Sequence, residues 1–243
     1  METFQDFKQS NGPERSAGAI IAHAFDIYKG IFLYAIGAFL LMFLISFLIQ
    51  PISGFQSEEL LEEIQNSPET LSENMWSIPG IRTYYGLSGL VTLLLAPFYV
   101  GIIYLANKYN LNERLDFSDI FIGFKQNFLN IVLYTLVMSI ALGISFAMCF
   151  VPGLFVLPFF MLGYPILLFE NASFSDALKK SFNIAKENYG VFLGTSLLGL
   201  LVSICGVFLC GIGIVFTMPI FLVVMYSLYV AFCGRPRPII AKD

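Results

Sequence analysis

A chain of 243 residues that is 57% hydrophobic and only 12% charged carries far more apolar surface than a soluble domain of its size can bury. That composition excludes a water-soluble globular protein and leaves an integral membrane protein. With a formal net charge of −4 there is no basic excess of the kind nucleic acid requires, so no nucleic-acid partner is expected.

Four runs, 30–57, 83–107, 126–169 and 188–234, contain no Asp, Glu, Lys or Arg and hold 28, 25, 44 and 47 residues. A helix needs about 20 residues to cross the hydrocarbon core. The two longer runs are therefore helical hairpins, broken at Val151-Pro152-Gly153 and between Gly206 and Gly213. The expected fold is an all-α membrane protein of six transmembrane helices.

The chain opens with a polar tail, 1–16, of mixed charge and without an apolar core ahead of a small-residue cleavage site, so no cleaved signal peptide is expected. The membrane domain, 17–233, begins with a unit at 17–108. Its His23, Asp26 and Lys29 recur every three residues and read as a polar strip at the membrane surface. Helix 1 follows, from about Ile31 to Ile49. An external acidic loop, 50–82, holds the amphipathic stretch 57–65, with Leu60, Leu61 and Ile64 on one face and four glutamates on the other. Helix 2 carries Pro97 near its middle.

The second unit, 116–170, opens with Asp116-Phe-Ser-Asp119, and the third, 173–232, with Ser173-Phe-Ser-Asp176. Both tetrapeptides place a capping residue three positions before an acidic one, and each is expected to start a helix lying in the cytoplasmic membrane surface. In the third unit Phe174, Ala177, Leu178, Phe182, Ala185 and Tyr189 share a face opposite Asp176, Lys179, Lys180, Asn183, Lys186 and Glu187. Lys179, Lys180 and Lys186 are candidate contacts for lipid headgroups. A short tail, 234–243, closes the chain.

The units look like copies of one another. Pro97-Phe-Tyr, Pro158-Phe-Phe and Pro219-Ile-Phe are spaced by 61 and again by 61 residues. The sequence thus reads as three pseudo-repeated hairpins, with Pro97, Pro158 and Pro219 as candidate structural or functional positions. Ser181 and Glu170 join them. A carboxylate at the C-terminal end of helix 4 is opposed by the helix dipole, and the free amides of 171–175 are expected to compensate Glu170.

Basic residues orient the chain. Arg82 alone falls in the external loop, and the other twelve of thirteen lie before helix 1, in the even-numbered connections or after helix 6. The positive-inside rule then places both termini in the cytoplasm.

Cys149, Cys205, Cys210 and Cys233 lie in or at the ends of apolar helices without metal-ligand spacing, and no metal or cofactor is expected. Whether Cys149 pairs with Cys205 or Cys210 stays open. The apolar runs hold neither an HExxH pair, nor a Ser–Lys pair, nor paired aspartates, and the glycines match no nucleotide-binding loop. An enzyme is not expected.

Val151-Pro-Gly-Leu, Pro165-Ile-Leu-Leu-Phe-Glu170, Ala177-Leu-Lys-Lys-Ser181 and Pro219 with Tyr226-Ser-Leu-Tyr229 carry a resemblance. Over about 17–232 the chain resembles poorly characterised bacterial six-helix membrane proteins, similar to the membrane domain that precedes the catalytic domain of some glycerophosphodiester phosphodiesterases. Eleven residues follow Phe232, with no such catalytic domain among them, so neither its activity nor its catalytic residues carry over. The resemblance implies a bacterial cytoplasmic-membrane module that anchors, senses or passes something lipid-like. The expected function is a structural or accessory role, with membrane lipids as partners and a protein partner or homo-oligomer possible. The alternative is a small transporter or lipid-handling protein.

Overall fold

The structure, a computed structural model, describes residues 12–66, 69, 74–148, 150–208 and 213–236. All regular structure among them is helical. The helices are α1 (Ala17–Phe47), α2 (Ile49–Ser53), α3 (Ser57–Asn66), α4 (Ile81–Asn110), α5 (Ile122–Lys125) and α6 (Phe128–Met148). They continue as α7 (Phe150–Val156), α8 (Gly163–Phe169), α9 (Phe174–Glu187), α10 (Tyr189–Cys205), α11 (Gly213–Thr217) and α12 (Ile220–Cys233). Short 3₁₀ segments lie at Met75–Ser77, Phe117–Phe121, Leu157–Phe160 and Gly206–Phe208.

Five segments are long and apolar enough to cross a membrane: Ala17–Ser53, Ile81–Asn110, Phe128–Met148, Val151–Phe169 and Gly213–Cys233. A sixth results if α9 and α10, bent by 104° at Asn188, are counted as one span. This is a multi-pass membrane protein. The first segment differs from expectation, because α1 starts at Ala17 and absorbs the whole polar strip into one continuous helix. No glycine, proline or competing cap interrupts 17–29 strongly enough to separate it; Ser16 Oγ caps the start by accepting from the Ala19 amide at 3.3 Å.

The first expected break, at Val151-Pro152-Gly153, does not form, because those residues lie inside α7. Pro152 sits in the opening turn of α7, where its missing N–H is harmless and does not interrupt the helix. At the second expected site, between Gly206 and Gly213, α10 gives way to the 3₁₀ segment Gly206–Phe208, and 209–212 lie outside the described residues. The three repeat-spaced prolines act unequally. Pro97 lies inside an unbroken α4, Pro158 in a 3₁₀ segment, and Pro219 at the N-cap of α12.

The chain divides into two compact units, one of residues 39–95 and the other of the remainder. In the larger unit α12 is buried along nearly its whole length, from Ile220 through Val230, as expected of a helix apolar all round at the centre of a bundle. It packs on α8 and α10, with Gly199 letting Phe221 and Val224 approach α10 closely. Where 117–125 crosses α4, a Cβ on Gly101 would overlap the Ile120 carbonyl, and one on Gly123 the Pro97 carbonyl. Backbone therefore meets backbone there.

In the smaller unit the acidic helix α3 forms as expected, but buries none of its residues. Beside it Phe55, Trp76, Tyr84 and Tyr85 contact one another ring to ring at 5.0 to 5.8 Å. Such a cluster suits the boundary between apolar and aqueous phases.

Candidate functional site

Several polar side chains of the larger unit tie one helical segment to another. Ser181, fully buried, donates to the Phe159 carbonyl at 2.6 Å and accepts from the Leu162 amide at 3.2 Å. It thus bonds both sides of the interruption between Leu157–Phe160 and α8. Ala177, Ser181 and Ala185 form the inward stripe of α9, and only small residues allow that closeness. The larger residues expected on the same face divide: Leu178 is half-buried and Phe182 is 46% exposed.

Glu170 does not use the amides of 171–175. The Phe174 amide donates to Asn130 Oδ1 at 3.1 Å. Glu170 instead accepts from Lys180 Nζ through both oxygens, at 2.7 Å each, and from the Tyr229 hydroxyl at 3.1 Å. Lys180 is therefore occupied by the fold rather than left for headgroups. Lys179 and Lys186 are exposed.

The strip on α1 also resolves differently. Asp26 and Lys29 pair with each other at 3.1 Å in the open, whereas His23 turns inward, its Nδ1 3.0 Å from Oγ of the buried Ser227. Nearby, Asn110 Nδ2 donates to the Tyr226 hydroxyl at 3.0 Å, and that hydroxyl donates to Asn107 Oδ1 at 3.1 Å. Arg15 adds a bond from Nε to the Ala231 carbonyl at 3.1 Å. This cluster was missed as a unit; the runs 107–110 and 226–229 hold its signal, polar residues at the ends of otherwise apolar segments.

Two further ties complete the set. Lys108 and Asp119 pair at 2.8 Å with both side chains about 15% exposed, and Asp119 also accepts from the Asp116 amide at 2.9 Å. The Asp116 carboxylate is held below its ordinary value by hydrogen bonds from Ser118, backbone amide first. Asn127, at a left-handed φ of 55°, donates to the carbonyls of Leu167 and Ala172 at 2.9 and 2.8 Å.

Between α6 and α8 the interior is closely packed. Tyr134 and Tyr164 are fully buried, their hydroxyls bonded to the Phe160 carbonyl at 2.8 Å and to Thr135 at 3.0 Å. A Cβ on Gly163 would overlap the Tyr134 ring, so that glycine makes room for it. Among the described residues no group of three His, Cys, Asp or Glu could hold a metal ion, and Cys205 and Cys233 are free thiols. Cys149 and Cys210 lie outside the described residues, as do 1–11 and 237–243 of the two tails. No family model, curated protein or solved structure matches the chain.

Proposed function

We propose that the chain is a non-enzymatic six-span module of the bacterial cytoplasmic membrane, with both termini in the cytoplasm and a structural or accessory role. In this reading it consists of three two-span units, 17–108, 116–170 and 173–232, and α9 lies along the cytoplasmic surface. The likeness to the membrane domain of glycerophosphodiester phosphodiesterases belongs to the same proposal.

The repeat is supported by the way the heads bond. Asp119 of the second head reaches Lys108 of the first unit's closing span, and Ser181 of the third reaches Phe159 and Leu162 of the second's. His23 and Arg15 at the first head reach Ser227 and Ala231 of the third unit's closing span. Each head is thereby bonded to the closing span of another unit, and the series returns to its start. Burial supports it too: the spans carrying the repeat-spaced prolines are 56%, 61% and 61% buried over their most apolar stretch, against 22% and 17% for Ala17–Ser53 and Phe128–Met148.

The observation carrying the accessory role is the close packing of Tyr134, Thr135 and Tyr164, polar side chains buried against one another without opening to water, whereas a transporter needs a polar cavity. Thr135→Cys, made with the four native cysteines replaced by alanine, tests it. Membrane-impermeant maleimide should fail to label residue 135 from either side until the protein is denatured. Rapid labelling from one side would replace this reading with transport.

A further inference from the structure

We propose that the groove between Leu157–Phe160 and α9 binds one anionic phospholipid, part of an acyl chain lying on the phenylalanine rings and the phosphate on Lys179 and Asn183. The inference rests on the surface-helix reading above and names its ligand.

The groove holds about 290 Å³ and is lined by Phe159, Phe160, Leu178, Lys179, Phe182 and Asn183. Small-molecule sites occupy about 300–1,000 Å³. Its volume therefore suits a segment of one chain, not a whole lipid. The rings are packed together: Phe159 stacks with Phe182 and with Tyr189, at centroid distances of 4.7 and 5.5 Å, and Tyr189 is held by its hydroxyl bond to the Phe155 carbonyl at 3.0 Å. A preformed apolar surface loses little conformational entropy when a chain settles on it.

Charge selects the headgroup. Among the described residues the ion pairs are Lys29–Asp26, Lys108–Asp119 and Lys180–Glu170. Lys180 is thus neutralised within the fold, while its neighbour Lys179 stands exposed at the rim of the groove without a carboxylate. Asn183 lies one turn further along the same face and supplies amide donors to the same phosphate. A free phosphate could use those two side chains but would leave the apolar rings in water, and α9 stands at 104° to the apolar α10. A membrane phospholipid satisfies the rings and the charge together. Lys186, two helical turns beyond Lys179, lies about 10 Å away along the axis and does not line the groove. It separates a site from general surface charge.

The test uses the full chain equilibrated with vesicles of phosphatidylglycerol and phosphatidylcholine in equal parts, then released for native mass spectrometry. One phosphatidylglycerol per chain should be retained. Lys179→Gln should lower that retention about fivefold, Lys179→Arg should preserve it, and Lys186→Gln should leave it unchanged. As a second readout, Phe182→Trp in a Trp76→Phe background should be quenched more strongly by brominated phosphatidylglycerol than by brominated phosphatidylcholine at equal mole fraction. Equal losses in Lys179→Gln and Lys186→Gln, or equal quenching by both lipids, would overturn the site and leave α9 on the membrane. Spin labels at Leu178 and Asn183 that are equally open to water-soluble quenchers would overturn the surface helix and the site together.

Discussion

Lys180 donates from Nζ to both carboxylate oxygens of Glu170, at 2.7 Å each, and so ties the end of α8 to the second turn of α9. Between them the chain reverses through Asn171 at a φ of 48°. A carboxylate at a helix C-terminus is repelled by the dipole of its own helix, and the ammonium together with the Tyr229 hydroxyl offsets that repulsion. The pair is a clasp on a turn.

Breaking the clasp should destabilise the protein modestly, since the two side chains are 42% and 30% exposed and water screens them. In detergent, the coupling between Glu170→Gln and Lys180→Met in a double-mutant cycle should be about 0.5–1 kcal/mol. Lys179→Met should show no coupling to Glu170→Gln. Coupling of equal size for both lysines would mean a diffuse field instead of a bonded pair.

Ser181 should matter more than its size implies. Its hydroxyl bonds the Phe159 carbonyl and the Leu162 amide in a buried setting, and Ser181→Ala strips a partner from each. A loss of about 1–3 kcal/mol is expected. Ser181→Val, which adds volume to the close contact as well, should be worse than Ser181→Ala. An alanine variant with an unchanged melting curve would show that the interruption near Pro158 stands without the hydroxyl.

The sequence made the segments legible and their faces less so. The charge-free apolar segments and the caps at Asp116 and Ser173 follow from local chemistry: runs without charge, and side-chain oxygens two or three residues before an amide. The inward face of α9 did not follow, because protein and lipid both accept apolar side chains. Period alone groups Phe182 with Ala177, whereas close packing takes the small residues inward and leaves Phe182 half in the open. The partner of Glu170 was hidden for a related reason. Lys179 and Lys180 are neighbours in one charged strip, and only the turn at Asn171 decides which of them meets the carboxylate. His23 was read with Asp26 and Lys29 by spacing, yet a single helix from Ala17 rotates it toward Ser227.

Acid should loosen the head at Asp116. Its carboxylate caps Phe117–Phe121 by accepting from the Ser118 amide at 2.9 Å, and that bonding holds its proton affinity below the ordinary value of 3.8. A depressed carboxyl contributes stability that is complete above the ordinary value and is lost as the pH falls through the lower, folded one. Asp116→Asn keeps a capping oxygen without the charge. The wild-type chain should melt above Asp116→Asn at pH 7, and the two curves should converge as the pH is taken below 3.8. A gap independent of pH would assign the difference to shape rather than ionisation.

Topology gives the most discriminating prediction for the membrane arrangement. Twelve of thirteen basic residues fall in the tails and in the connections on one side of a six-span path, and only Arg82 falls on the other. The rule behind the prediction counts basic residues near span ends, so the four glutamates of α3 do not enter it. The critical step is α10, whose 17 residues make it the shortest crossing and whose approach from α9 turns by 104°. If α10 crosses, 122–125 and α9 share a side with both termini. If α10 instead enters and returns, α12 reverses and the C-terminus moves outside. Reporter fusions at Asn66, Lys125, Lys186 and Gly234 should read outside, inside, inside and inside. A Gly234 fusion that reads outside while Lys186 reads inside would give five crossings and overturn the proposed third hairpin.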